Sequence, residues 1–522
     1  MRAIDYFDKG AEEFPDRIAI LDRATQYSYR EAQEASHKIA RAMWACGLRG
    51  EERAAIFSSN DARVLLCMLG IMRSGGVWVP INFRNALDAN VQFLNYSTTS
   101  CLFYHSSFRE QVREIKARVP SLQHFICLDA ETDGDPSLDS FMKRGSAGEE
   151  PDWGDPRGNI DRLVGLVPTG GTTGPAKGVM VTSLSWGTMV ETASLCLRCE
   201  DVAPVCLSTA PLSHAAGVVA FAMFPLGATN VVMPAFDALE VLQNIERHRV
   251  THIFLPPTAL YGMLAHPRVA EFDYSSLRRM LLAAAPVSPD KLRKAVEVFG
   301  PCVCQSYGQT EAPMYMTYLD TKTVAAAAAG DHPERLRSCG KVTPAVRLAI
   351  MDDDGKLLPP HKPGEIVARG ALVCGGYFDL PEATSEIRTF GWHHTGDVGY
   401  RDEEGFFYIV DRKKDMIITG GFNVYCAEVE ACVMELPQVH ECAVIGIPDE
   451  KWGEAVKAIV VLRDGEALTE DAIIVHCKSR LGSVKSPKSV EFCREIPKTP
   501  AGKTDKKAIR KPFWAASDRA VH

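Results

Sequence analysis

Thr169-Gly170-Gly171-Thr172-Thr173-Gly174-Pro175-Ala176-Lys177-Gly178 is a glycine and threonine loop that ends in lysine, and the apolar run 163–167 stands directly before it. Glycines let successive backbone N–H groups converge on an anion with no Cβ in the way, threonine hydroxyls add donors, and lysine adds a mobile positive charge. The stretch therefore reads as a phosphate cradle, fit for ATP or another phosphorylated ligand, although Gly/Thr clusters between strands are also commonly plain turns. It is not a Walker A loop. No Gly-Lys-Ser/Thr follows at that spacing, and the one Gly-Lys-Thr in the chain, Gly502-Lys503-Thr504, has Pro497 where the first glycine belongs.

The surroundings of the loop have an α/β rhythm. Helical patterns at 29–47 and 61–73 alternate with short strands at 54–58 and 77–81, and a Gly/Pro/Asp-rich segment, 133–161, leads into the loop. Further α/β units run through 205–303. The longest apolar stretch, 215–236, is interrupted by Pro225, Gly227, Thr229 and Asn230, so a buried helix followed by a buried strand is expected there rather than a membrane span. Beyond Trp392, strands at 405–410 and 416–419 flank Asp411-Arg412-Lys413-Lys414-Asp415, a charged joint that suits a hinge and equally a solvated turn. A helix at 427–435, strands at 443–447 and 456–462 and a helix at 469–481 complete a small unit. The expected fold is α/β (mixed α+β): a large multi-layered N-terminal domain, 1–412, with sheets flanked by helices, and a small C-terminal α+β domain, 413–522.

Composition narrows the function. The 522 residues are 46% hydrophobic and 24% charged, as in a soluble globular protein, and the net charge of −8 offers no basic field for nucleic acid. Charges in the first nine residues stand where a signal peptide needs its apolar core, so a cytoplasmic protein is expected. Without a secretory signal the sixteen cysteines read as reduced thiols packed as small hydrophobes. Cys196-x-x-Cys199, placed in a helix, lacks the second Cys/His pair of a zinc finger, and Cys302-x-Cys304 sits in an apolar strand.

Four further segments accompany the loop: Pro211-Leu212-Ser213-His214, Tyr307-Gly308-Gln309-Thr310-Glu311, Trp392-His393-His394-Thr395-Gly396-Asp397 and Pro500-Ala501-Gly502-Lys503. In this order and spacing the chain, from about 14 to 507, resembles the adenylate-forming superfamily of acyl-CoA synthetases, beetle luciferases and adenylation domains. The resemblance implies a carboxylate attacking the α-phosphorus of ATP, two anions that need positive charge and donors between them. It casts Lys503 as the catalytic lysine and Glu311 as the Mg²⁺ ligand, with Thr310 at the α-phosphate. Thr169, Gly170, Gly171, Thr172, Thr173, Gly174 and Lys177 would cradle the phosphates. Ser306, Tyr307, Gly308, Gln309, Ala284 and Ala285 would line the adenine, Asp397 would accept from the ribose hydroxyls, and Arg412 would add a charged contact beside it. Lys414 would be the pivot on which the small domain turns for the second half-reaction with CoA, and Gly420 and Gly421 would line the pantetheine path. His214 would gate the meeting of acyl pocket and thiol tunnel, a role to be set against that of an ordinary polar residue.

Four departures from the family pattern stand out. Ala283 replaces a glycine before Ala284, Gly170 replaces a hydroxyl residue, Pro175 stands one residue early, and Cys426 occupies the proline of Val-Tyr-Pro-Ala-Glu. The acyl pocket implied by position, Ala215, Ala216, Gly217, Val218, Pro257, Thr258, Ala283, Gln305 and Gly308, is small-residue and uncharged, which suits a medium-chain, aryl or alicyclic monocarboxylate. The resemblance thus implies an AMP-forming carboxylate–CoA ligase whose partners are the acid, ATP, Mg²⁺ and CoA, with a homodimer as one candidate assembly. The alternative is an adenylating ligase that passes the acyl group to an amine or a carrier protein, and an oxygenase or inactive binding protein of the same fold is a third reading.

Overall fold

The computed structural model describes residues 1–145, 159–169, 176–420, 422–499 and 504–514. It divides into two compact units, the first made of Met1–Gly171, Pro175–Leu348 and Ala368–His393, the second of Thr172–Gly174, Ala349–Val367 and His394–His522.

Two sheets organise the first unit. The smaller runs His124–Cys127, Cys101–Tyr104, Arg53–Phe57, Val77–Pro80, Leu163–Pro168 and Gly178–Thr182. Its first five strands are parallel and the last joins antiparallel. Val77–Pro80 and Cys101–Tyr104 are buried at every residue, as expected of parallel strands covered on both faces. The helix Tyr29–Ala45 starts on a Ser28/Glu31 capping box, and Ala62–Ser74 ends at Gly75 with φ 79°, so both boundaries are set by local chemistry legible in the sequence.

The larger sheet runs Gly340–Val342, Ala312–Leu319, Val303–Gln309, Arg279–Leu282, His252–Leu255, Val205–Ser208, Thr229–Val232, Ile18–Leu21 and Gln26–Ser28. Its centre is parallel and antiparallel pairs flank that centre on both sides. The apolar stretch at 215–236 is a helix, Ala215–Met223, and a strand, Thr229–Val232, turned by Gly227 at φ 70°. Among the described residues no helix is long and apolar enough to cross a membrane. One expectation needs correction: Cys196 lies in the helix Ser183–Leu197 but Cys199 lies past its end, because Arg198 turns extended at ψ 136°. Cys199 Sγ instead sits 3.9 Å from His252 Nε2.

In the second unit, Phe422–Val424, Ile417–Thr419, Gly453–Leu462 and Val439–Asp449 form a sheet, with Ser489–Phe492 parallel to Gly453–Leu462. Period-2 alternation sorts its residues onto two faces. Val444, Val456, Ala458 and Val460 join Val429, Val433 and Ile473 of two helices in one cluster. Ala443, Ile445, Ile459 and Val461 join Ile496 and Ile509 in the other. The two long strands extend past the expected 443–447 and 456–462 because ten register pairs, Val439↔Leu462 to Asp449↔Gly453, continue through polar residues.

Candidate active site

The strands Leu163–Pro168 and Gly178–Thr182 are antiparallel, so the glycine-rich loop connects a hairpin and not a strand and a helix. Its neck is tied. Thr169 N donates to Lys177 O at 2.8 Å, and Lys177 N donates to Thr169 Oγ1 at 3.1 Å. Gly170, Gly171, Thr172, Thr173 and Gly174 lie outside the described residues, as do Gly421 and Lys503.

From this neck Lys177 reaches the Thr310-Glu311 turn through a residue that sequence reasoning missed. Lys177 Nζ lies 4.8 Å from the Tyr377 ring centroid, and Tyr377 OH donates to Glu311 Oε1 at 2.7 Å. Burial, then the Glu311 charge, pushes the Tyr377 hydroxyl well above its ordinary pKa, so it remains a donor throughout the physiological range. Cys374 fixes the same turn from behind: its N–H donates to Glu311 O at 2.8 Å and its Sγ to Thr310 O at 3.5 Å. Only the Gly375-Gly376 pair, with Gly376 at φ 108°, marks this segment in the sequence.

Ligands of open parallel sheets bind beyond the carboxyl ends of the strands, and there several implied site segments follow neighbouring strands. Thr209 to Pro211 follows Val205–Ser208, Pro256 and Pro257 follow His252–Leu255, Ala283 to Ala285 follows Arg279–Leu282, and Thr310 follows Val303–Gln309. Leu282 pairs with Gln305, so Ala284 and Ala285 continue beside Ser306, Tyr307 and Gly308. Ser306 and Tyr307 are buried, and Ser306 Oγ and Gln309 Nε2 are buried without a hydrogen-bond partner, polar atoms that fit an incoming polar ligand such as a nucleotide. A Cβ at Gly308 would stand 2.4 Å from Met314 N, which explains the glycine there. Ala283, which stands where the family pattern has glycine, needs no left-handed backbone. Left-handed backbone occurs at Ala284, with φ 76°, and not at Ala283.

His214 is exposed and precedes the helix Ala215–Met223, with Nδ1 3.3 Å from Ser213 Oγ. Its turn is built by Asn60, whose Oδ1 accepts from Leu212 N at 2.8 Å and whose Nδ2 donates to Ala210 O at 2.9 Å. Gly217 lets the helix approach, since a Cβ there would stand 1.9 Å from Leu212 O.

In the second unit Asp397 and Arg412 are register partners on the antiparallel strands His393–Arg401 and Phe406–Arg412, joined by Arg412 Nε to Asp397 Oδ1 at 2.6 Å. A carboxylate network underlies them. Glu365 takes Gly396 N at 2.9 Å, His394 Nδ1 at 3.0 Å and Lys413 Nζ at 3.1 Å. Burial works to raise the Glu365 pKa, but the His394 bond, the Gly396 N–H and the Lys413 charge outweigh it and hold the carboxyl below its ordinary value.

The charged joint is not a solvated turn throughout. Asp411, 7% exposed, accepts from Arg412 N at 2.8 Å and from Cys426 N, and burial, opposed by Lys506, raises its pKa to about 6. Cys426 Sγ donates to Asp415 O at 2.9 Å. Burial, reinforced by the nearby Arg412 and Arg510 charges, lowers the Lys414 pKa. Gly420 has an architectural reason to be glycine: φ is 58° and a Cβ would meet Trp452 at 2.6 Å. Among the described residues one Cys/His/carboxylate group converges, Cys432, Glu435 and His476, and there His476 Nε2 lies 3.1 Å from Cys432 O and 3.3 Å from Glu435.

The sequence belongs to the AMP-binding enzyme family, whose main domain matches residues 7–378 and whose C-terminal domain matches residues 428–503. Among individual proteins it is 35% identical to a feruloyl-CoA synthase of an Amycolatopsis species, over 96% of each chain. It is 45% identical to the medium/long-chain-fatty-acid–CoA ligase FadD8 of Mycobacterium tuberculosis over 69% of this chain and 63% of that one. The solved amide bond synthetase McbA of Marinactinospora thermotolerans superposes with a TM-score of 0.87 at 29% identity, covering 98% of this chain and all of that one.

Proposed function

We propose that this chain is an ATP-dependent carboxylate–CoA ligase for a medium-chain, aryl or alicyclic monocarboxylic acid. The carboxylate oxygen attacks the α-phosphorus of ATP, the bond to the β-phosphate oxygen breaks, and pyrophosphate leaves. The CoA thiol then attacks the acyl carbonyl and AMP leaves. Lys503 supplies positive charge where the first two anions meet, with Lys177 and Thr169 at the neck of the phosphate loop and Thr310 at the α-phosphate. Glu311, a hard oxygen donor steadied by Tyr377, would hold Mg²⁺ against the phosphates. The nucleotide lies along Ser306 to Gln309 and Ala284 to Ala285, and Asp397 and Arg412 meet its ribose.

The observation that carries the proposal is the Lys177–Tyr377–Glu311 chain, which links Lys177, at the neck of the glycine-rich loop, to Glu311, the proposed Mg²⁺ ligand. The similarity to CoA ligases across both family domains supports CoA as acceptor. The hinge at Lys414 separates a large domain, 1–412, from a small one, 413–522, and turning there exchanges Lys503 for the Gly420-Gly421 face. The likeness to McbA, an amide bond synthetase, favours transfer to an amine as the second reading.

One experiment decides. The protein is incubated with ATP, Mg²⁺ and a panel of aliphatic, aryl and alicyclic acids, with CoA alone, an amine alone or neither, and products are read by mass spectrometry. Acyl-CoA supports the ligase; an amide formed without thioester moves the assignment to the second reading. Wild-type pyrophosphate release in Lys503→Ala refutes the catalytic assignment itself.

A further inference from the structure

Arg510 belongs to the helix Lys506–Trp514, which begins three residues after Lys503. Its side chain is 12% exposed and reaches back to the charged joint. Nη2 donates to Asp415 O at 2.9 Å and Nη1 to Lys414 O at 3.2 Å, and Nη1 also lies 3.4 Å from Asp415 Oδ1. One planar fork thus satisfies two successive carbonyls of the segment that leaves the strand Phe406–Arg412. A lysine, with one point of attachment, cannot do this equally well.

The helix that presents Arg510 is anchored independently. Lys506 Nζ pairs with Glu430 Oε1 at 2.8 Å, Ile509 packs with Ile445 and Val461, and Trp514 Nε1 donates to Gly446 O at 3.0 Å. The near side of the joint is fixed as well, since Asp411 receives the N–H groups of Arg412 and Cys426. Between these anchors Lys414 and Asp415 are held to the helix by Arg510, with the Cys426 thiol as the other donor to Asp415 O.

We propose that Arg510 is a positioning residue for the first half-reaction: it clasps the Lys414–Asp415 backbone to the helix Lys506–Trp514, so that the pivot segment moves as one body with the helix that follows Lys503 in the sequence. This rests on the reading of Lys414 as pivot and Lys503 as the adenylating lysine. Arg510 touches neither substrate nor nucleotide in this role. Its effect passes through Lys503, because a displacement of about 1 Å in a charge that must bridge two anions costs on the order of 100-fold in rate.

The test separates the half-reactions in purified full-length protein, using an acid that the wild type adenylates. Arg510→Ala should lower kcat for pyrophosphate release by roughly 10- to 100-fold while KM for MgATP stays within about threefold. Thioester formation from supplied acyl-adenylate and CoA should stay within about threefold, which also shows that the variant is folded. Arg510→Lys should fall between the two. In a Lys503→Ala background, Arg510→Ala should add no further loss, because both act on one step. Equal falls in both half-reactions, or a full multiplicative loss in the double variant, would overturn the proposal in favour of a merely structural role. Wild-type pyrophosphate release by Arg510→Ala, beside a Lys503→Ala that is dead, overturns the clasp alone; a Lys503→Ala that is fully active overturns the site reading and the clasp with it.

Discussion

Tyr377→Phe isolates one hydrogen bond in the candidate site. The substitution removes the hydroxyl that donates to Glu311 Oε1 at 2.7 Å and leaves the ring that faces Lys177 Nζ at 4.8 Å. Tyr377 is 8% exposed, so water does not readily replace the lost donor. A hydrogen bond to a charged group contributes about 1.5–3 kcal/mol, and at about 1.4 kcal/mol per factor of ten that corresponds to roughly 10- to 150-fold. If the hydroxyl orients Glu311 for Mg²⁺, the loss appears as a weaker apparent affinity for MgATP. Pyrophosphate release should be measured at saturating carboxylate while MgATP and then free Mg²⁺ are varied, with Glu311→Gln and the double variant alongside. The expected result is a kcat/KM for MgATP at least about tenfold lower in Tyr377→Phe and little further loss when it is added to Glu311→Gln. A folded Tyr377→Phe enzyme within about twofold of wild type would show that the bond does nothing for metal or nucleotide, and the reasoning would fail.

Substitutions at three other positions probe the frame. His252 is buried, 2.8 Å from Leu197 O through Nε2, and burial lowers its pKa to about 4 from 6.5. Because the folded-state pKa is depressed, the linked stability is present above pH 6.5 and is lost as pH falls towards 4; 2.5 units at 1.36 kcal/mol each give about 3 kcal/mol. Urea unfolding at pH 7 and pH 4.5 should show this loss in wild type and a smaller one in His252→Asn; equal slopes would exclude it. Gly217→Ala places a Cβ 1.9 Å from Leu212 O and should cost about 1–3 kcal/mol by overpacking while raising KM for the acid, which thermal unfolding and steady-state kinetics will check. Cys426→Pro deletes the N–H that Asp411 accepts and should destabilise by about 1–3 kcal/mol, whereas Cys426→Ala keeps that N–H and should cost less; the reverse order in denaturant midpoints would refute the account.

Local signals were strong enough to place most elements. The helices expected at 29–47 and 61–73 are found as Tyr29–Ala45 and Ala62–Ser74, and the interruption of 215–236 is the turn at Gly227; each boundary is set by residues close by, Ser28 with Glu31, Asp61, Gly75 and Gly227. The supporting contacts are not legible in this way, because they join distant positions. Tyr377 meets Glu311 across 66 residues, Arg510 meets Asp415 across 95, and Asn60 meets Leu212 across 152. No periodicity carries such information. Glycines carry information of a different kind. Gly420, which the resemblance puts on the pantetheine path, also has a φ of 58° and Trp452 2.6 Å from where a Cβ would stand, and beside Ala283 the left-handed residue is Ala284. A glycine in a sequence announces a close approach or a left-handed residue, but not which neighbour comes close.

If Asp397 and Arg412 hold the ribose as proposed, the pair is set before the nucleotide arrives. The Asp397 side chain is 4% exposed and the Arg412 side chain 47%, so the carboxylate is the fixed partner and the guanidinium the movable one. Asp397 N is itself held by Thr395 Oγ1 at 3.1 Å, and Thr395 Oγ1 donates to Ile366 O at 2.6 Å, which pins the strand beneath the carboxylate. A diol approaching Asp397 competes with a salt bridge whose guanidinium end is half-exposed, so water can solvate Arg412 as it leaves. Arg412 can therefore swing aside at small cost and re-bond to the ligand with a charge-assisted contact. On the proposed reading, the buried carboxylate would set where the ribose sits, and the half-exposed arginine would only strengthen the hold.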